Sequence, residues 1–227
     1  MSSEQISLKE ICGRYRKLYG GPIYDVLEQA GYPNQVLAKE IRPLRSDMKV
    51  AGPAFTVKSI LSPGRWYGGP KRVDLIGSMT PHCVAVYDPG REDQSGHWGE
   101  QTSNAAAAKG CQGVVVDGGA RDSTQHLAIE NWSCFCRFTS PIEAGPRLEM
   151  IDIQKPILMS GSLTSVVPVR PGDFVFGDLD GVIIIPKEIA VEVLLKAEEI
   201  VSRENKAREE LRRGAPREEV MKKYRVG

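Results

Sequence analysis

The sequence predicts a single α/β domain that ends in a helical arm, and three observations carry that prediction. With 227 residues, 41% of them hydrophobic and 26% charged, the chain can build one sizeable core but not several large domains. Short apolar runs such as Gly113-Val114-Val115-Val116-Asp117 alternate with helical stretches such as residues 99–109, as strands do when interleaved with helices. Residues 187–213 carry Ile189, Val193, Leu194, Ala197, Ile200 and Val201 at helical spacing, then turn almost wholly charged. The domain is expected to span the whole chain, with a core over about 20–190 and the arm over about 187–227. An arm so poor in apolar anchors is expected to pack on a neighbouring subunit.

Ser7 is placed to cap a helix running to about residue 17, with Glu10 at the reciprocal capping position. Gly20-Gly21 ends it, and residues 22–29 form a second helix with Pro22 near its first turn. Residues 48–60 alternate as a strand, with Gly52-Pro53 as a bulge or entry turn. The segment 62–71, rich in glycine and proline and carrying Trp66 and Tyr67, reads as a loop of the kind that lines substrates. Residues 83–87 form a buried strand ending in the turn Asp88-Pro89-Gly90. Residues 99–109 form a helix closed by Gly110. A strand over 113–117, a loop over 118–122, a helix over 123–130 and a strand over 133–138 follow. Residues 168–185 make two strands around Asp178-Leu179-Asp180-Gly181, and a last short helix covers 216–224.

A net charge of +1 points to neither nucleic acid nor an anionic membrane as partner. The first residues lack the apolar core of a secretory signal, and no apolar run approaches the ~20 residues of a membrane span. The five cysteines are odd in number and scattered, so they read as reduced thiols in a cytoplasmic protein. Cys134 and Cys136 share a strand face and read as core packing. The Arg/Glu/Lys run over 202–213 reads as a solvated helix face.

The informative stretch is residues 96–122, GHWGEQTSNAAAAKGCQGVVVDGGARD. It brings the helix start Gly99-Glu100-Gln101-Thr102 and the loop bearing Arg121 and Asp122 to one edge of a sheet, where open α/β sheets bind ligands. Free N–H groups in a first helical turn bind anions, and glycine at 99 admits a ligand close to the backbone. Arg121 offers a planar fork for a carboxylate, and Asp122 a hard oxygen for Mg²⁺ or Mn²⁺. A 2-oxo acid, with a carboxylate beside a ketone, fits that pair of sites. The bland alternative makes Arg121-Asp122 a surface pair capping the helix at Ser123, and Glu100 merely a residue favoured by the helix dipole. His82, His97 and His126 lack the spacing of a helical metal pair. His97 lies near the candidate site, while His82 and His126 read as structural.

This pattern, together with PVRPGDFVFGDLDGVIIIP, resembles the family of 4-hydroxy-4-methyl-2-oxoglutarate aldolases, which also holds the regulators of ribonuclease activity A (RraA-like proteins). The resemblance covers roughly residues 45–200. It implies a swivelling β/β/α fold assembled as a homotrimer or homohexamer. It implies a class II, pyruvate-forming aldolase acting on a 4-hydroxy-2-oxo acid such as 4-hydroxy-4-methyl-2-oxoglutarate, with oxaloacetate decarboxylase activity. Asp122 would bind the metal, Mg²⁺ or Mn²⁺, and Arg121 would contact pyruvate. Backbone amides of Gly99, Glu100, Gln101 and Thr102 would hold the substrate carboxylate. Glu100 joins Arg121 and Asp122 as a catalytic candidate, orienting a proton carrier. The metal would take up the charge of the departing enolate, and no lysine in the motif suggests a Schiff base. Many relatives carry Gly-Asp-Leu-Leu where this chain has Gly-Glu-Gln-Thr, a change on the substrate side of the pocket. A glutamate from a neighbouring subunit is also implied, with Glu198, Glu199 and Glu204 as candidates. The family's alternatives are a non-enzymatic regulator of an RNA-degradation enzyme, against which Asp122 argues, and a lyase or dehydratase on a sugar-derived 2-oxo acid.

Overall fold

A computed structural model of the chain describes residues 6–62 and 74–225, so Trp66 and Tyr67 lie outside the described residues. Ser7 caps α1 (Leu8–Tyr15) by accepting a hydrogen bond from the Glu10 N–H at 3.2 Å, as its position predicts. Helix α2 (Gly20–Gln29) begins on the two glycines, not after them. The buried Asp178 carboxylate accepts from the Gly20 N–H at 2.9 Å and supplies the cap that Tyr19 lacks.

Strands β1 (Arg42–Pro43), β2 (Val50–Leu61), β3 (Val84–Asp88) and β4 (Gly96–Trp98) precede α3 (Glu100–Ala108). Then come β5 (Gly113–Val116), β6 (Gly119–Ala120), α4 (Ser123–Ala128), β7 (Ser133–Cys136) and β8 (Phe138–Thr139). Strands β9 (Leu148–Ile153), β10 (Ile157–Ser160) and β11 (Val166–Val169) occupy a stretch in which the sequence suggested almost no element. The hairpin β12 (Phe174–Asp178) and β13 (Gly181–Ile185) follows, then α5 (Ala190–Arg212) and α6 (Arg217–Tyr224).

The main sheet runs β1-β7-β5-β3-β2-β12-β13, with β9 also paired to β2. Its centre, β2, β3, β5 and β7, is parallel. Those strands read as continuous apolar runs because both faces are covered. Val84, Val86, Val115 and Phe135 face Met159 and Val167 on one side. Alternate residues Ala85, Tyr87, Val114 and Val116 face Trp98, Ala106 and Trp132 on the other. Helices α1, α2 and α5 cover the β12–β13 end through Tyr15, Leu27 and Leu194 against Phe176 and Ile183.

Two expectations are corrected. Gly52 and Pro53 stay in register with Val175 and Phe174, and the irregularity in β2 falls between Lys58 and Ser59, where pairing with β9 shifts. The run 133–138 divides at Arg137 into β7 and β8, which join different sheets. Helix α5 is tied to its own chain: Arg14 Nε donates to Glu198 Oε1 at 2.9 Å, and Ala207 and Val220 are buried where α6 folds back on α5. Among the described residues no helix is long and apolar enough to cross a membrane. All five cysteines are free and buried.

Candidate active site

Strands β4, β6 and β8 form a separate small sheet. Each leads into a site segment: β4 into Gly99, the N-cap residue of α3, β6 into Arg121 and Asp122, and β8 towards Glu143. The three strands are parallel, so their carboxyl ends share one edge and the segments converge. A cleft of about 320 Å³ at that edge is lined by Gly99, Gln101, Thr102, Arg121, Asp122 and Glu143, among others. The small sheet, not the main one, thus brings the helix start and the Arg121 loop together. Close approach demands glycine here. A Cβ at Gly96 would stand 2.6 Å from Arg121 Cβ, and one at Gly99 would stand 3.0 Å from Asp122 Oδ2.

Asp122 adopts φ 59°, ψ 40°, the left-handed conformation, which costs a non-glycine residue about 1–2 kcal/mol. It occupies the N-cap position of α4, yet its side chain makes no capping hydrogen bond. Its carboxylate instead lies 3.3 Å from Arg121 Nε, and Glu143 Oε2 lies 3.4 Å from Arg121 Nη1. Arg121 Nε is buried without a well-formed hydrogen bond among the described residues. Burial alone would lower the Arg121 pKa, but the flanking Asp122 and Glu143 charges outweigh it and hold the guanidinium above its ordinary value.

The other predicted residues divide. Gln101 and Thr102 line the cleft. Glu100 starts α3, but its carboxylate accepts from Asn104 Nδ2 at 2.7 Å and is absent from the cleft wall. Of the three C-terminal candidates, Glu198 is paired with Arg14, Glu204 accepts from the Tyr19 hydroxyl, and Glu199 is exposed. Glu143 was not singled out by sequence reasoning, and no local signal marks it. Its backbone is bridged to Gly96, a contact across 47 residues of chain that only the fold creates.

Two buried histidines brace the loop from behind. The Gly119 N–H donates to His97 Nδ1 at 2.9 Å, so Nε2 carries the proton that faces Glu92 Oε2 at 2.6 Å. Burial lowers the His97 pKa against the pull of Glu92. Burial would raise Glu92, but hydrogen bonds from Ser95 and His97 hold it below the usual carboxylate range. His126 is fully buried, with Nδ1 3.2 Å from Ser103 Oγ and Nε2 lacking a hydrogen-bond partner among the described residues. Trp98 Nε1 donates to the same hydroxyl at 2.9 Å, and Ser103 Oγ lies 3.2 Å from Gly99 O. This chain of contacts links α4 to the start of α3.

A larger cleft, about 960 Å³, lies on the far side of the His97–Glu92 pair. Its buried carboxylates Asp88, Asp117 and Glu92 are matched by Lys58, Arg137 and His97. That pairing leaves the smaller cleft as the better candidate.

Among the described residues no group of three or more His, Cys, Asp or Glu side chains could hold a metal ion. The donor set at Asp122 is therefore at most two such side chains among the described residues. That does not suit zinc, which takes three or four protein ligands. It does suit Mg²⁺ or Mn²⁺, since Mg²⁺ commonly binds through one or two carboxylates and keeps several waters.

A sequence model of the RraA-like family, described as Aldolase/RraA, matches residues 21–184. A Halalkalibacterium halodurans protein, provisionally named a 4-hydroxy-4-methyl-2-oxoglutarate aldolase, is 34% identical over 164 residues, 71% of each chain. Protein DlpA of Legionella pneumophila is 26% identical over 202 residues, 89% of this chain and 32% of that one. The chain thus spans about a third of that relative's length. The crystal structure of Streptomyces coelicolor RraAS2, described as an unusual member of the RNase ES inhibitor RraA family, shares the fold. It superposes with a TM-score of 0.75 at 23% identity, covering 88% of this chain and 98% of that one.

Proposed function

Because the chain belongs to the RraA-like family, we propose that it is a divalent-metal-dependent carbon–carbon lyase releasing pyruvate from a 4-hydroxy-2-oxo acid. The family includes both aldolases and RraA regulators. The observation that supports the enzymatic reading is the Asp122 carboxylate: strained backbone, no capping role, and a guanidinium 3.3 Å away in a cleft. Strained residues cluster at functional sites. Asp122 would hold the cation, Mg²⁺ or Mn²⁺, which supplies a Lewis acid for charge developing on the keto oxygen. Arg121 holds the substrate carboxylate by paired hydrogen bonds, displacing its loose contacts to Asp122 and Glu143. The N–H groups opening α3 at Glu100, Gln101 and Thr102 favour the same anion, and Gly99 leaves room for it. Assembly as a homotrimer or homohexamer is part of the proposal and is read by sedimentation.

The test is pyruvate release from a panel of 4-hydroxy-2-oxo acids and oxaloacetate, including 4-hydroxy-4-methyl-2-oxoglutarate. Release that stops with a chelator and returns with Mg²⁺ or Mn²⁺ supports the reading. Failure to cleave any 2-oxo acid, with or without metal, overturns it.

A further inference from the structure

We propose that His97 is a positioning residue for the site: the Glu92 carboxylate fixes its tautomer, so that Nδ1 holds the Gly119 N–H and thereby sets where Arg121 and Asp122 stand. This rests on the lyase reading above and adds to it a residue that acts through the backbone.

Gly119 opens β6, two residues before Arg121 and three before Asp122. Its N–H donates to His97 Nδ1 at 2.9 Å, while His97 Nε2 lies 2.6 Å from Glu92 Oε2. Both contacts select the same neutral tautomer. With the proton on Nδ1 instead, two N–H groups would face each other at Gly119, and a ring lone pair would face the carboxylate. Glu92 is itself fixed, accepting from the Ser95 N–H at 2.9 Å and from the Ser95 hydroxyl at 3.0 Å. The turn that leads into β4 therefore orients the ring, and the ring orients the strand paired beside it.

The backbone has no slack against that ring. A Cβ at Gly118 would stand 2.5 Å from His97 Nδ1, and one at Gly119 would stand 2.4 Å from Ser95 O. The rings of Tyr87 and Phe138 meet the imidazole edge-on, at centroid distances of 6.3 and 6.4 Å. The His97 side chain is fully covered and the Glu92 side chain nearly so. Burying such a pair is costly, and an apolar ring would fill the space without that cost. What the imidazole adds is an acceptor for one backbone N–H, at the base of the loop that bears Arg121 and Asp122. Groups that orient a metal ligand from behind are typically worth about 10–100-fold in affinity.

The experiment compares His97→Asn and His97→Gln in the full chain by Mg²⁺ titration calorimetry, thermal melting and kinetics on the best-cleaved 2-oxo acid of the panel above. Asparagine places an amide oxygen near the position of Nδ1 and gives up Glu92. Glutamine reaches Glu92 and leaves the Gly119 N–H without that acceptor. The expected result is a loss of about tenfold or more in Mg²⁺ affinity and in kcat/KM for His97→Gln, against about threefold or less for His97→Asn. A role in folding alone would lower Tm without that split. Equal or larger losses in His97→Asn overturn the inference, as does a glutamine variant within about threefold of the wild type. Nitrogen-15 NMR of the wild-type chain gives a reading that needs no variant to fold. Nδ1 of His97 should be unprotonated at neutral pH, and a proton there overturns the inference too. If the wild type cleaves a 2-oxo acid and the variants do not split, only the positioning role has failed. If the wild type neither binds Mg²⁺ nor cleaves any 2-oxo acid, the lyase reading has failed and this inference with it.

Discussion

Replacing Asp122 separates the backbone role of that position from its chemistry. At φ 59°, ψ 40° a residue with a Cβ is strained, and alanine is worse off than glycine by about 1 kcal/mol. The side chain makes no capping bond, so its removal loses only a partly exposed ion pair with Arg121, about 0–1 kcal/mol. Asp122→Gly therefore gains about 1 kcal/mol from relaxed backbone and gives back a similar amount in ion pairing and unfolded-state entropy. Its stability should sit within about 1 kcal/mol of the wild type. Asp122→Ala keeps the strain and should melt about 2–4 °C below Asp122→Gly, the shift that 1 kcal/mol makes in a chain of this size. Both variants should lack turnover. Thermal melts with and without Mg²⁺ check this, because a ligand at 100 times its Kd adds about 2.7 kcal/mol to a protein that binds it. The wild type should rise with Mg²⁺ and the variants should not. Were Asp122→Gly the least stable of the three, the carboxylate would have a structural role and the strain argument would be wrong. Mg²⁺-dependent stabilisation or turnover in either variant would remove Asp122 from the metal site.

Gly99→Ala places a Cβ 3.0 Å from Asp122 Oδ2 and 3.3 Å from Arg121 Cγ. Asp122 is partly exposed and can yield, so Tm should hold while Mg²⁺ affinity and turnover fall about tenfold or more, read by titration and kinetics. Arg121→Ala should raise KM and lower kcat, with each lost charge-assisted bond worth about 1.5–3 kcal/mol; unchanged kinetics would remove the carboxylate clamp. The folded-state pKa values of His97 and His126 lie below 6.5, chiefly through burial. The unfolded chain therefore binds more protons, and stability present above pH 6.5 should be lost as pH falls below it. Melts from pH 7.5 to 5 would show a flat profile if the rings were already protonated in the fold. His126→Leu removes a buried imidazole whose Nε2 has no partner among the described residues, so it should shorten that acid decline while changing neutral-pH stability by less than about 1 kcal/mol; a steeper decline would refute it.

Much of the fold is legible residue by residue because short-range rules govern it. Ser7 caps α1 through a side chain three residues from its donor. The run Phe174–Asp178, turn, Gly181–Ile185 pairs as a hairpin whose partners are close in sequence. The opening of α3 and the Arg121-Asp122 loop likewise stand where local pattern places them. The small sheet is not legible, since its strands span only Gly96–Trp98, Gly119–Ala120 and Phe138–Thr139. Two or three residues cannot display a period of two. Glu143 is invisible for the same reason, and the Glu100 side chain is placed not by the local motif but by its hydrogen bond to Asn104, one helical turn along α3 and outside the cleft wall.

The sequence by itself determined that this is an α/β chain with a charged helical end, and that a guanidinium and a carboxylate follow a buried strand opposite a glycine-led helix. Those features depend on neighbours a few residues apart, which hydrophobic period, caps and turn residues encode directly. Only the tertiary structure decided that Asp122 is left-handed and not a cap, that Glu143 completes the surroundings of Arg121, and that His97 and His126 brace the loop from within. Each of these depends on which distant backbones lie side by side, and that is settled by packing the whole core.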